Sequence, residues 1–149
     1  MKVRFLLAAT MVIASLVTTL AQAADDRELV TMPPMMQEHM LSNMRDHLLV
    51  LNELLADVAA EKFDDAAKVA EERLGMSSFG LHGAAHMAPF MPKPMQEAGG
   101  ALHHAASRFA IVARNVDVER SYDGMKELTK TLNEMTAACN ACHASYRIR

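Results

Sequence analysis

Cys139-Asn140-Ala141-Cys142-His143 places two thiols and an imidazole at the spacing used to attach a c-type haem. Two cysteines three apart on a helix lie on nearly one face, so they can add to two vinyl groups along one edge of a porphyrin. The next residue, His143, then turns a ring nitrogen toward the iron as its proximal ligand. These are the only two cysteines of the chain. A redox disulfide and half of a zinc site are the competing readings of a bare C-x-x-C. A zinc site would want a second Cys/His pair at matching spacing, and there is no second C-x-x-C. A thioredoxin-like motif would sit at a strand-to-helix junction early in an α/β domain, whereas this one lies near the C-terminus among helix formers. Haem attachment is therefore the expectation, with a disulfide or an adventitious metal as alternatives.

The N-terminus points to the compartment where such attachment happens. Lys2 and Arg4 precede an uncharged apolar run, Phe5 to Leu20, and Ala21-Gln22-Ala23 forms a small-x-small cleavage site. An acidic, polar stretch starting at Asp25 follows at once, so the pattern reads as a secretory signal peptide over 1–23 rather than an anchor. The alternative is an uncleaved N-terminal anchor helix. Cleavage after Ala23 leaves 24–149 as one domain, long enough to bury a core and a haem. Export to the periplasm, with no stable membrane span after cleavage, is the expected outcome.

Removing Lys2 and Arg4 leaves 13 basic against 18 acidic residues, a formal charge of −5. No basic patch with interleaved aromatics is present, so nucleic acid is not an expected partner. Tryptophan is absent, and Ala, Leu, Met and Glu are abundant, which reads as all-α.

Four helical segments are expected. The first runs from about Met35 to Ala60 behind Pro33 and Pro34, with Met36, Met40, Met44, His47, Leu51, Leu54 and Val58 as its apolar stripe and Leu41, Leu48 and Leu55 widening it. The second runs from about Asp64 to Leu74, with Asp64 or Asp65 as its cap and Gly75 as its stop. The third spans about Met95 to Val116, burying Leu102, Ala105, Phe109 and Val112. The fourth spans about Ser121 to Tyr146. Its seam is Met125, Leu128, Leu132, Met135, Cys139, Cys142 and Tyr146, stepping by three and four. Both cysteines continue that seam, which puts a haem inside the bundle rather than on its surface. Short connections favour an antiparallel four-helix bundle; only Gly75 to Pro94 is long and irregular.

A helical bundle with C-x-x-C-H on its last helix, almost at the C-terminus, resembles the class II c-type cytochromes, the cytochrome c-prime family. The resemblance covers essentially all of 30–149. Glu61-Lys62-Phe63-Asp64-Asp65-Ala66-Ala67 is similar to that family's turn between its first two helices, and the segment from Gly75 to Pro94 departs from the family pattern. The resemblance implies one covalent haem c and a distal face covered by one residue of the first helix. A methionine there implies a six-coordinate, low-spin electron carrier; a non-ligating residue implies a five-coordinate protein that binds nitric oxide or carbon monoxide. Counting back from the Phe63 turn, and allowing for a turn two residues shorter than usual, Met44 falls at the distal position. Met40, one helical turn earlier, is the alternative, and methionines that merely fill the core are the third case. Relatives often pair through their first two helices, so a homodimer is a further implication.

The other histidines have their own readings. His39 and His47 lie on or beside the first helix, and His47, on the apolar stripe, is read as a hydrogen-bonded interior residue before a haem ligand. Arg45, Arg147 and Arg149 could pair with haem propionates, with a solvated surface role the default. His82 and His86 are four apart and followed by Met87, Met91 and Met95; on one helical face they would suit a metal, and soft methionines would favour copper. Gly80, Gly83, Pro89, Pro92 and Pro94 instead make that segment a loop that packs over the haem edge. His103 and His104 are adjacent and face apart, so at least one should meet solvent.

No nucleophile elbow, phosphate loop or paired-carboxylate site is present, so a non-enzymatic role is expected. The expectation is a periplasmic monohaem cytochrome that carries single electrons between redox partner proteins, its iron held by His143 and a first-helix methionine. A five-coordinate gas-binding haem protein and a copper-binding haem protein are the alternatives.

Overall fold

The structure, a computed structural model, describes residues 25–148. The signal-peptide reading of 1–23 lies outside these residues. Among them the chain forms five α-helices, α1 (Pro34–Ala59), α2 (Phe63–Arg73), α3 (Ala84–Met87), α4 (Lys93–Val118) and α5 (Tyr122–Ser145), and one pair of short strands, β1 (Glu28–Val30) and β2 (Tyr146–Ile148). The described chain is thus mostly helical. None of these helices is long and apolar enough to cross a membrane.

Local chemistry sets the helix ends. Pro33 precedes α1, and Pro34 opens it, where its missing N–H leaves no hydrogen bond unmade. At the other end Glu61 takes a left-handed φ of 58°, its N–H bonding to Val58 O and that of Lys62 to Asp57 O. This is the two-bond closure that glycine usually makes at a helix C-terminus. Asp64 and Asp65 do not cap α2, since Lys62 holds the cap position without a side-chain bond; they sit in its first turn, favoured by the helix dipole. Ser121 caps α5, its hydroxyl accepting the Gly124 N–H at 3.0 Å.

The packing follows the order α1, α2, α4, α5, with each helix against the next and no extensive contact between α1 and α5. Small residues allow the close approach in the middle of this series. Ala66, Ala67 and Ala70 of α2 share one core with Ala105, Ala106, Ala110 and Ala113 of α4, and Phe109, Leu54, Val50, Leu128 and Met135 fill around them. A second core is built mostly from methionine. Met32, Met40, Met87 and Met95 are buried there with Val30, and Met36, Met44, Met91, Cys142, Tyr146 and Ile148 pack on it.

The structure departs from the sequence expectation in three places. Leu41, Leu48 and Leu55 do not widen the buried stripe of α1: they are exposed, and Val50 is fully buried instead. Among the described residues no helix lies against that face of α1, because α2 covers only the opposite side. Tyr146 does not continue α5, which stops at Ser145; it opens β2 in extended conformation. β2 pairs in parallel with β1, in the register Glu28 with Tyr146, Leu29 with Arg147 and Val30 with Ile148. The strands are three residues each, too short for alternation to reveal, and their partner is at the far end of the chain. The long connection after Gly75 is not wholly irregular either, since it contains α3 and two single 3-10 turns.

Candidate functional site

The C-x-x-C-H motif occupies the last turns of α5. Cys139 and Cys142 are both half-buried and are not joined to each other. They belong to different surroundings: Cys139 packs against the alanine-rich core, Cys142 against the methionine cluster. Burial pushes both thiols above their ordinary range, and for Cys142 the neighbouring Cys139 adds to it, so both are protonated at neutral pH. His143 is exposed, and its backbone oxygen accepts a bond of 3.4 Å from Arg27 at the start of the described chain.

Two segments brace this end of α5. Arg147 follows the motif and reaches Asp25 at 3.5 Å and the Arg27 backbone oxygen at 3.3 Å. Val30, in the strand paired with β2, and Met32 after it are buried against the methionine cluster. Arg45 pairs with Glu38 at 2.7 Å on the surface of α1. Both arginines thus have carboxylate partners, and Arg149 lies outside the described residues.

Met40 and Met44 of α1 lie in the same cluster as Cys142, Met40 buried and Met44 half-buried. The group implied by the motif can be tested on this arrangement. A covalently held haem needs two adjacent thiols at a core boundary, an imidazole beside them, and apolar or soft surroundings for the ring. Cys139, Cys142, His143 and the methionines meet that donor set, and α1 is not closed down on α5. The residues present therefore fit a haem.

The histidines are arranged differently from the sequence expectation. His82 lies in a turn, and Gly83 beside it adopts a left-handed φ of 67° before α3 begins at Ala84. His82 and His86 consequently do not share a helical face, and His86 is exposed. His82 instead meets His47 of α1 and His103 of α4: the ring centroids are 4.8 Å apart for His47 and His82, 5.2 Å for His82 and His103, and 6.1 Å for His47 and His103. His103 is buried and His104 exposed, as their adjacency implied. His47 is not the hydrogen-bonded interior residue expected: its Nε2 is buried without a partner, and so is Nδ1 of His82. Burial holds the His47 ring down to about 4, helped by the positive potential that His82, His103 and His143 would add on protonation. His82 and His103 are depressed for the same first cause.

The grouping of His47, His82 and His103 was not visible in the sequence. Its members come from three elements with no common spacing; His47 carried a signal as a polar residue on an apolar stripe, and His82 only as half of a pair with His86 that the fold does not form. No protein-family model, curated protein or solved structure matches the chain.

Proposed function

We propose that the chain is a periplasmic monohaem c-type cytochrome, an antiparallel four-helix bundle of the class II type it resembles, that carries single electrons between redox partner proteins. The observation that supports this reading most is the position of the C-x-x-C-H motif in the last turns of α5. Its two thiols sit at the boundary between the alanine-rich core and the methionine cluster, across from Met40 and Met44 of α1. Haem c, held by thioethers to Cys139 and Cys142, would supply a one-electron iron couple. His143 is the proximal ligand in this reading, and Met44 the distal one, with Met40 as the alternative. The chain's own part is to fix both axial donors on helices, to surround the ring with apolar and thioether groups, and to keep water from it. A thioether donor favours the ferrous state and raises the potential.

One observation favours a second reading. Met44 is only half-buried and the cluster around it is apolar, an environment that would also admit a diatomic ligand to an open iron. The test is the optical spectrum of the exported protein made with haem-maturation machinery, recorded oxidised, reduced, and reduced under carbon monoxide. A low-spin spectrum that carbon monoxide does not change, lost in Met44→Ala or Met40→Ala, is the expected result. A high-spin spectrum that shifts with carbon monoxide would replace electron transfer by gas binding. A chain without covalent haem, or one whose haem survives Cys139→Ser/Cys142→Ser, would overturn both readings.

A further inference from the structure

We propose that His47, His82 and His103 form a second metal site, distinct from the C-x-x-C-H motif, that takes one divalent first-row ion with a preference for imidazole nitrogen, zinc or copper(II). None of Cys139, Cys142 and His143 is a ligand in it, so it stands whether or not haem is attached.

The ring spacing is the first argument. An ion bound to imidazole nitrogens at about 2.0–2.1 Å lies about 3.2 Å from each ring centroid, and tetrahedral angles then put the centroids about 5.2 Å apart. The three observed separations, 4.8, 5.2 and 6.1 Å, bracket that value. Ring packing alone spans the same range, as Phe79 and His103 show at 4.9 Å, so the spacing permits an ion and the unused nitrogens must argue for it.

Unused nitrogens are the second argument. Buried polar atoms in folded proteins are nearly always paired, and here two in one cluster are not, Nε2 of His47 and Nδ1 of His82. A metal ion would satisfy both. His103 is held in a manner typical of such ligands: its Nδ1 faces the backbone oxygen of Gly75 at 3.3 Å, and a proton donated there leaves Nε2 with its lone pair for a metal. Asn43 of α1 donates to the backbone oxygen of His82 at 2.9 Å, which ties the connecting segment to the helix that carries His47. Phe79 closes one side, its ring edge-on to His103 at 4.9 Å. The burial that keeps the rings neutral also keeps them in the form that binds metal.

Among the described residues no group of three His, Cys, Asp or Glu side chains is arranged, as it stands, to hold a metal ion. The change that closes the site is therefore rotation of rings whose centres are already at coordinating distance. His82 rides on a surface connection and can follow the ion, and a water can take the fourth position. This differs from a His82/His86 chelate, which the left-handed Gly83 prevents.

The test is zinc titration of the haem-bearing mature chain after chelator treatment, followed by calorimetry and metal analysis, with copper(II) and nitrogen hyperfine structure in its electron paramagnetic resonance spectrum as the second probe. One equivalent of zinc is expected, with the affinity lowered at least tenfold in His82→Ala and in His47→Gln, and unchanged in His86→Ala and His104→Ala. His82→Ala decides the matter if His47→Gln does not fold, because its side chain leaves no helix. Repeating the titration on Cys139→Ser/Cys142→Ser separates this site from haem attachment: binding retained there supports it. No stoichiometric binding by the parent chain, or binding that survives His82→Ala and is lost in His86→Ala, overturns it.

Discussion

Replacing His47 by leucine should reduce the chain's sensitivity to mild acid. The His47 ring is held down from 6.5 to about 4 in the folded protein, chiefly by burial. An unfolded chain protonates this ring near 6.5, so below that pH the unfolded state binds the extra proton and the folded state does not. The associated stability is complete above about pH 7 and declines as pH falls from about 6.5 to about 4. Below that range both states carry the proton and this ring causes no further loss. At about 1.36 kcal/mol per pKa unit the span corresponds to about 3 kcal/mol, an upper figure because the site can open to water before the whole fold does. Urea unfolding of the metal-free protein, followed by far-ultraviolet circular dichroism at pH 7.5, 6.0, 5.0 and 4.0, measures it. His82 and His103 are depressed too, but they remain in both chains, as do all carboxylates, so the difference between parent and His47→Leu reports this ring together with its repulsion toward His82 and His103. The parent should lose 2–3 kcal/mol more than the variant over that range, within the about 3 kcal/mol worked out above. Parallel loss in the two chains would refute the argument, because it would mean that the His47 ring is protonated in the fold as easily as out of it.

Three shorter predictions concern the frame around the sites. Glu61→Gly should stabilise the chain by up to about 1 kcal/mol in thermal or urea unfolding, because glycine accepts the left-handed φ of 58° and the exposed pair with Arg120 is worth little. Gly83→Ala should destabilise by about 1–2 kcal/mol: φ is +67°, and the new Cβ would stand 2.6 Å from Cε1 of His39. The same variant should lower zinc affinity, since His82 is its neighbour. Phe109→Ala, at the fully buried centre of the alanine-rich core, should cost about 3–5 kcal/mol while leaving the far-ultraviolet helical signature in place at low temperature.

The helices were legible because each carries its own evidence. The three-and-four steps of α5 run unbroken from Met125 to Cys142, and the prolines before α1 and α4 mark their starts to within two residues. What sequence periodicity could not supply is which side of a helix has a neighbour. Leu41, Leu48 and Leu55 repeat every seven residues and look as buried as Val50, yet they are exposed because none of the described helices packs there. The strand pair was missed for a related reason: Glu28–Val30 and Tyr146–Ile148 acquire their extended form from each other across the whole chain. The C-x-x-C-H motif was legible as a spacing, since its five residues are consecutive. The histidine cluster was not, since its chemistry depends on which residues the fold brings together.

The two cores divide the work of the molecule in a way that bears on both proposals. The alanine-rich core holds α2, α4 and the middle of α5 by close packing of small, stiff groups, which fixes the direction in which the last turns of α5 present Cys139, Cys142 and His143. The methionine cluster is built from unbranched, flexible side chains, and these can rearrange around a rigid ring without opening a cavity. The histidines meet where α1, the connection and α4 come together, and His103 is itself anchored through Gly75 at the end of α2. Gly75 is held closely there: a Cβ on it would fall 2.8 Å from the Cα of Glu71. A shift at this point would therefore move His103 and the end of α2 together. Rigid packing fixes every donor but His82 on helices, and soft packing surrounds the space next to Cys142, which is the arrangement needed if a large planar group and a small ion are to occupy one small domain without competing for the same residues.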